Sequence, residues 1–101
     1  MSYRIETEGD TMTAWLGGEL DHHTAAQMRE QVDAAVDRLK PHRLRLDFSG
    51  ISFMDSSGVG LIMGRYRLMN MLGGELTVAG CSDRVRKMLM LAGLERLNIL
   101  E

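Results

Sequence analysis

From Tyr3 to Glu8 the side chains alternate, Tyr3, Ile5 and Thr7 against Arg4, Glu6 and Glu8, with the period of a half-buried strand. Gly9-Asp10 marks a turn, and Thr11 to Leu16 resumes the alternation with Met12, Ala14 and Leu16 inward. So short a separation predicts an antiparallel hairpin. Gly17-Gly18 is expected to break its second strand. From His22 the period lengthens: Ala25, Met28, Val32, Ala35, Val36 and Leu39 recur at three and four residues, one apolar stripe of a helix. Asp21 stands where a carboxylate accepts the free N–H groups of a first turn, and Pro41 stops the helix.

Leu44 to Phe48 is too short for a helix and predicts a third strand. Strand, helix, strand in succession implies a crossover and therefore parallel pairing. Ser49-Gly50 is expected to open a loop through Ile51-Ser52-Phe53-Met54, and a second helix to begin near Ser57. Val59, Leu61, Ile62, Tyr66 and Met69 are its packing positions, and Gly73-Gly74 its C-terminal cap. Glu75 to Ala79 reads as a fourth strand. Ser82 caps a third helix with the stripe Val85, Met88, Leu89 and Ala92, ended by Gly93. Leu97 to Leu100 is a last short strand or a frayed end. The predicted fold is α/β in the order ββαβαβα(β), a small mixed sheet with packed helices.

Composition narrows the function. A chain of 101 residues, 45% of them apolar, forms one domain, residues 1–101. With 12 basic against 14 acidic residues the net charge is −2, without the basic excess of a nucleic-acid binder. Cys81 is the sole cysteine, so no internal disulfide or thiolate zinc site forms. No apolar run approaches the ~20 residues of a membrane span, and MSYRIETEGD lacks the pattern of a signal peptide. A cytoplasmic protein is expected. Nine methionines are unusual, and most are assigned to the core because they occupy apolar-periodic positions.

Candidate chemistry concentrates in Phe53-Met54-Asp55-Ser56-Ser57-Gly58-Val59-Gly60, after a parallel strand and at a helix start. Unpaired N–H groups there favour an anion, and an exposed hydroxyl could bind a phosphate or itself be phosphorylated. Alternatively Asp55 or Ser56 is only a cap, and Gly58 and Gly60 only permit close packing. The apolar pair Phe53-Met54 before two hydroxyls favours a patch visible to a partner. A hydrolase or nucleotide-binding protein using Ser56 and His22 is the rival reading. The segment is not a Gly-x-Ser-x-Gly elbow, however, and only His22, His23 and His42 could serve as imidazole bases. Asp21-His22-His23-Thr24 superficially suggests metal ligation, but adjacent histidines at a helix start diverge by about 100°. Gly58-Val59-Gly60 lacks the spacing and lysine of a phosphate loop. Neither metal nor cofactor is expected.

Two segments taken together, Gly18-Glu19-Leu20-Asp21-His22-His23-Thr24-Ala25 and Ser52 through Gly60, followed by Gly64-Arg65-Tyr66 and Gly73-Gly74-Glu75, resemble the STAS domain family. Within it they resemble the sporulation branch of the anti-sigma factor antagonists. The resemblance implies partner switching without catalysis: the antagonist binds an anti-sigma factor, which is also a serine kinase, and so releases the sigma factor. Phosphorylation on the serine after the aspartate, here Ser56, would switch it off, and a serine phosphatase would reset it. The implied partner-facing residues are Asp21, His22, Phe53, Met54, Asp55, Ser56, Ser57 and Gly58, with Ser57 the less favoured phosphate acceptor. No direct contact with nucleic acid or membrane is implied. Members of that branch usually continue into a final C-terminal helix, whereas this chain ends at Glu101. Another regulatory assembly of the same fold, such as general-stress signalling, is the alternative.

Overall fold

Gly9, with φ at +60°, turns the chain between β1 (Ser2–Glu8) and β2 (Thr11–Leu20), which pair antiparallel in the computed structural model describing residues 1–101. Helix α1 (His22–Leu39) then returns the chain to β3 (Arg43–Met54), parallel to β2. Helix α2 (Ser57–Met71) leads to β4 (Glu75–Ala79), parallel to β3. Helix α3 (Asp83–Leu91) and a 3₁₀ turn (Leu94–Leu97) complete the chain. The sheet order β1-β2-β3-β4 is the mixed four-stranded arrangement expected of ββαβαβα.

Met12, Ala14, Leu16 and Leu20 of β2 and Leu44, Leu46 and Phe48 of β3 face the helices. They meet Met28, Val32 and Val36 of α1, Leu61, Ile62 and Met69 of α2, and Val85 and Leu89 of α3. The stripe on α1 is narrower than its sequence suggests, since Leu39 at its C-terminal end is exposed and Ala25 only half-buried. Lys40, left-handed at φ 48°, caps that helix before Pro41.

Four expectations need correction. Gly17-Gly18 does not break β2. The strand continues to Leu20, and its pairing with β3 shifts register between Trp15 and Gly17 and again between Gly18 and Glu19. Gly18 lies at φ +91°, so the pair makes an irregularity inside a strand, a role glycine serves in sheets. Ser49-Gly50 likewise opens no loop: β3 runs on to Met54 because β2 continues beside it as a partner. A Cβ on Gly50 would lie 3.0 Å from the Leu16 carbonyl and 3.2 Å from Gly17 Cα, so only glycine lets the strands approach there.

Third, β1 is exposed along its length except at half-buried Ile5, because it forms the edge of the sheet and α1 packs on β2 and α2. Fourth, Leu97–Leu100 is neither a strand nor frayed. A 3₁₀ turn precedes a single parallel bridge from Leu100 to Val78, with Ile99 buried. Of the methionines, Met12, Met28, Met54 and Met69 are core, whereas Met71 is 83% exposed and Met90 is also exposed.

Candidate functional site

Parallel strands β2 and β3 end side by side at Leu20 and Met54, and the Asp55 N–H donates to the Leu20 carbonyl at 3.1 Å. Two helices therefore start from neighbouring strand ends, each behind an aspartate. Asp21 caps α1 as its spacing predicts. Its Oδ1 accepts the N–H groups of His23 and Thr24, both at 2.9 Å. The Thr24 hydroxyl accepts the Asp21 N–H at 3.0 Å, closing a capping box. The Thr24 N–H, above all, holds the Asp21 carboxyl below its usual range, with smaller help from His23.

At α2 the aspartate stands one residue further out. Ser56 occupies the N-cap position with helical backbone angles, φ −63° and ψ −16°, and its hydroxyl makes no capping hydrogen bond. Asp55 does that work, its Oδ1 accepting the Ser57 N–H at 2.8 Å. The next amides are also occupied: Gly58 N–H donates to the Asp55 carbonyl, and Val59 and Gly60 N–H both to the Ser56 carbonyl. The expected row of unpaired amides is thus absent. What the helix start offers is an exposed, uncommitted hydroxyl on Ser56, beside a carboxylate.

Phe53 is 45% exposed, but Met54 is only 6% exposed, so the expected apolar pair reduces to Phe53. The reason is alternation along β3, which carries Met54 to the core face. Gly58 is buried over Met54: a Cβ there would collide with Met54 Sδ and Cγ and lie 3.1 Å from Leu20 Cδ2. Gly60 behaves differently from the expectation of close packing, since nothing lies within 4 Å of the Cβ it lacks. His22 and His23 are both exposed. His22 and Ser57 line an open cleft of about 450 Å³ between α1 and α2, together with Arg29, Gly60, Gly64 and Arg65.

Arg65 and Asp47 are the buried charges that sequence reading passed over. Arg65 Nε lies 2.8 Å from Asp33 Oδ1 of α1, without the alignment of a good hydrogen bond, so charge rather than direction holds the pair. Burial, and secondarily the Arg29 charge, lowers the Arg65 pKa while Asp33 raises it. Position 65 continues the spacing of Leu61, Ile62 and Met69, which was the available signal of burial. Asp47 accepts the Ser49 N–H at 2.9 Å and its hydroxyl at 2.6 Å, and pairs with Arg45 at 3.3 Å. Half-buried Cys81 has its thiol pKa pushed up chiefly by burial, with Arg86 opposing and Asp47 adding to the shift.

Comparison with known proteins accords with this geometry. The family model described as STAS domain matches residues 2–101. The chain is 41% identical over 96 residues to the anti-sigma F factor antagonist of Paenibacillus polymyxa, covering 93% of this chain and 82% of that protein. Among solved structures it superposes on the unphosphorylated anti-sigma factor antagonist SpoIIAA with a TM-score of 0.84 at 33% identity, covering 99% of this chain and 86% of the other. The phosphorylated form of the Bacillus cell fate determinant SpoIIAA gives a TM-score of 0.78 at 32% identity, covering 99% and 89%. No helix is long and apolar enough to cross a membrane. The chain belongs to the STAS domain family, among its anti-sigma factor antagonists.

Proposed function

We propose that this chain, in its unphosphorylated form, binds an anti-sigma factor that is also a serine kinase, and so frees a sigma factor. Phosphorylation of Ser56 ends the interaction, and a serine phosphatase restores it. The chain is substrate and ligand and performs no catalysis of its own. The observation that carries this reading is the Ser56 hydroxyl, exposed and relieved of capping because Asp55 takes the Ser57 N–H. A solved relative described in both unphosphorylated and phosphorylated forms supports it.

Phosphorylation adds roughly −1.5 to −2 charge and three strong acceptors. In this protein the first amides of α2 already have acceptors and Asp55 is adjacent, so the phosphate gains little from the helix start. Because Ser56 is exposed, the modified chain keeps its fold. The cost falls on the complex, where a phosphate would enter a surface shaped around a hydroxyl, next to Asp55. Burying an unpaired charge costs several kcal/mol, and each ~1.4 kcal/mol is a tenfold loss.

Incubation with the anti-sigma kinase and ATP, followed by mass spectrometry, should add one phosphoryl group at Ser56. Titration calorimetry should find Ser56→Ala binding the anti-sigma factor as wild type does, and Ser56→Asp about 100-fold or more weaker. Equal binding by Ser56→Asp would remove electrostatic exclusion as the mechanism. Labelling of Ser56 by a phosphonate probe without any partner would instead favour a hydrolase.

A further inference from the structure

The two edges of the sheet are finished differently. Along β4 the chain end folds back: the Val78 N–H donates to the Ile99 carbonyl and the Glu101 N–H to the Val78 carbonyl, both at 2.8 Å. The opposite edge, β1, pairs only with β2, so alternate residues of Ser2–Glu8 turn N–H and C=O groups to solvent. An unpaired edge of seven residues is a template for another strand.

The charges on that edge choose the strand. Arg4 and Glu6 lie on the face away from the helices, where Arg4 stacks over the Trp15 ring at 5.1 Å. Ile5 lies on the other face, partly packed against the core. We propose that two copies of this chain pair antiparallel through β1, about a two-fold axis at Ile5, joining their sheets into one. In that register Arg4 of each copy faces Glu6 of the other, Tyr3 faces Thr7, and Ile5 faces Ile5, so half-buried Ile5 gains cover.

Neighbouring registers that keep like faces together fail. Centred on Arg4, that charge meets its own copy; centred on Glu6, Arg4 meets Glu8 but Glu6 meets Glu6 at the axis; centred on Thr7, Glu6 meets Glu8; centred on Tyr3, no charges are matched. Only the Ile5 register matches opposite charges without setting like charges together. The mixed charges that would repel other pairings therefore select this one. Helix α1 packs chiefly on β2 and α2 and touches β1 through the Tyr3 hydroxyl, which donates to Gln31 Oε1 at 2.8 Å. The two β2 strands would stand about 14 Å apart at ordinary strand spacing, wide enough for two helices packed at ~8–10 Å. Ser56, at the end of the sheet where β2 and β3 finish, stays exposed in both copies, so the pairing stands apart from the proposed partner switch.

One strand edge is a small interface, and a dissociation constant of about 10 μM to 1 mM is expected. Sedimentation equilibrium of the full chain across about 10 μM to 1 mM should show a monomer–dimer equilibrium. Arg4→Glu and Glu6→Arg should each weaken the dimer by about tenfold or more, since each gathers four like charges at the two-fold. Mixing the two variants should restore association as a heterodimer, because each then supplies the sign the other lacks. Far-UV circular dichroism and thermal melts check that each variant is folded. Should Arg4→Glu fail to fold for want of its Trp15 contact, Glu6→Arg, which keeps Arg4, carries the test against Glu6→Gln, which removes the pair without gathering like charges and should weaken the dimer less. A monomer throughout the range, or a dimer indifferent to these reversals, overturns the proposal.

Discussion

Gly58 and Gly60 stand two residues apart in the same helix and owe their presence to different causes. Gly58 is closed in by Met54 and Leu20, whereas Gly60 faces open space and both have ordinary helical φ. Gly58→Ala must displace the Met54 side chain or the first turn of α2, and should cost about 1–3 kcal/mol by overpacking. Gly60→Ala should stabilise by about 0.5–1 kcal/mol, the difference in helix propensity. Urea unfolding of both variants measures this directly, and equal effects would contradict the packing difference. The same residue-scale contrast separates Asp55 from Ser56. Two polar residues at a helix start compete for one capping role, and in the fold the aspartate takes it.

At the scale of elements, Asp21 is where sequence and structure agree most closely, because capping is local. Its carboxyl is held below its ordinary pKa, so the folded state binds its proton less readily than the unfolded chain. The stability this gives is complete above the unfolded value, near the ordinary 3.8, and is lost as pH falls through the lower folded value. Asp21→Ala should lower Tm at neutral pH by about 4–8 °C. The gap from wild type should narrow below about pH 4. Asp21→Asn should keep most of the neutral-pH stability, since an amide oxygen still accepts. Calorimetric melts at pH 7 and pH 3 decide it: a difference unchanged between them would mean the cap does not act through the carboxylate.

For the whole molecule, the joint between α1 and α2 rests on a charge. Arg65 is buried in the apolar row of α2 and neutralised by half-exposed Asp33 of α1. Asp33→Asn leaves the guanidinium charged and unpaired between the helices, and should cost about 1–3 kcal/mol. Arg65→Met fills similar space without a charge, and should stay within about 1 kcal/mol of wild type. A larger loss for the methionine than for the asparagine in urea unfolding would show that Arg65 makes directional bonds the geometry lacks. The cleft beside this pair carries His22 and Ser57 to the same surface, joining residues 35 positions apart in sequence.

Local signals in the sequence were sufficient for most elements: the Gly9-Asp10 hairpin, the stripes of α1 and α2, the caps Asp21 and Ser82, and the parallel sense of β2 and β3. Each depends on residues a few positions apart, or on the handedness of a crossover. The resemblance of Asp21 and Asp55-Ser56 to a known motif likewise lies in contiguous residues. Pairing across the sheet was not legible in this way. Gly17-Gly18 and Ser49-Gly50 carry the composition of turns, yet they lie within strands because each has the other's backbone to bond. Burial of Met54 beside exposed Phe53, the open edge of β1, and the meeting of Arg65 with Asp33 depend on partners distant along the chain. Backbone preference and periodicity act over a few residues, whereas which hydrogen-bonding groups find partners, and which charges lose water, is settled only when distant segments pack together.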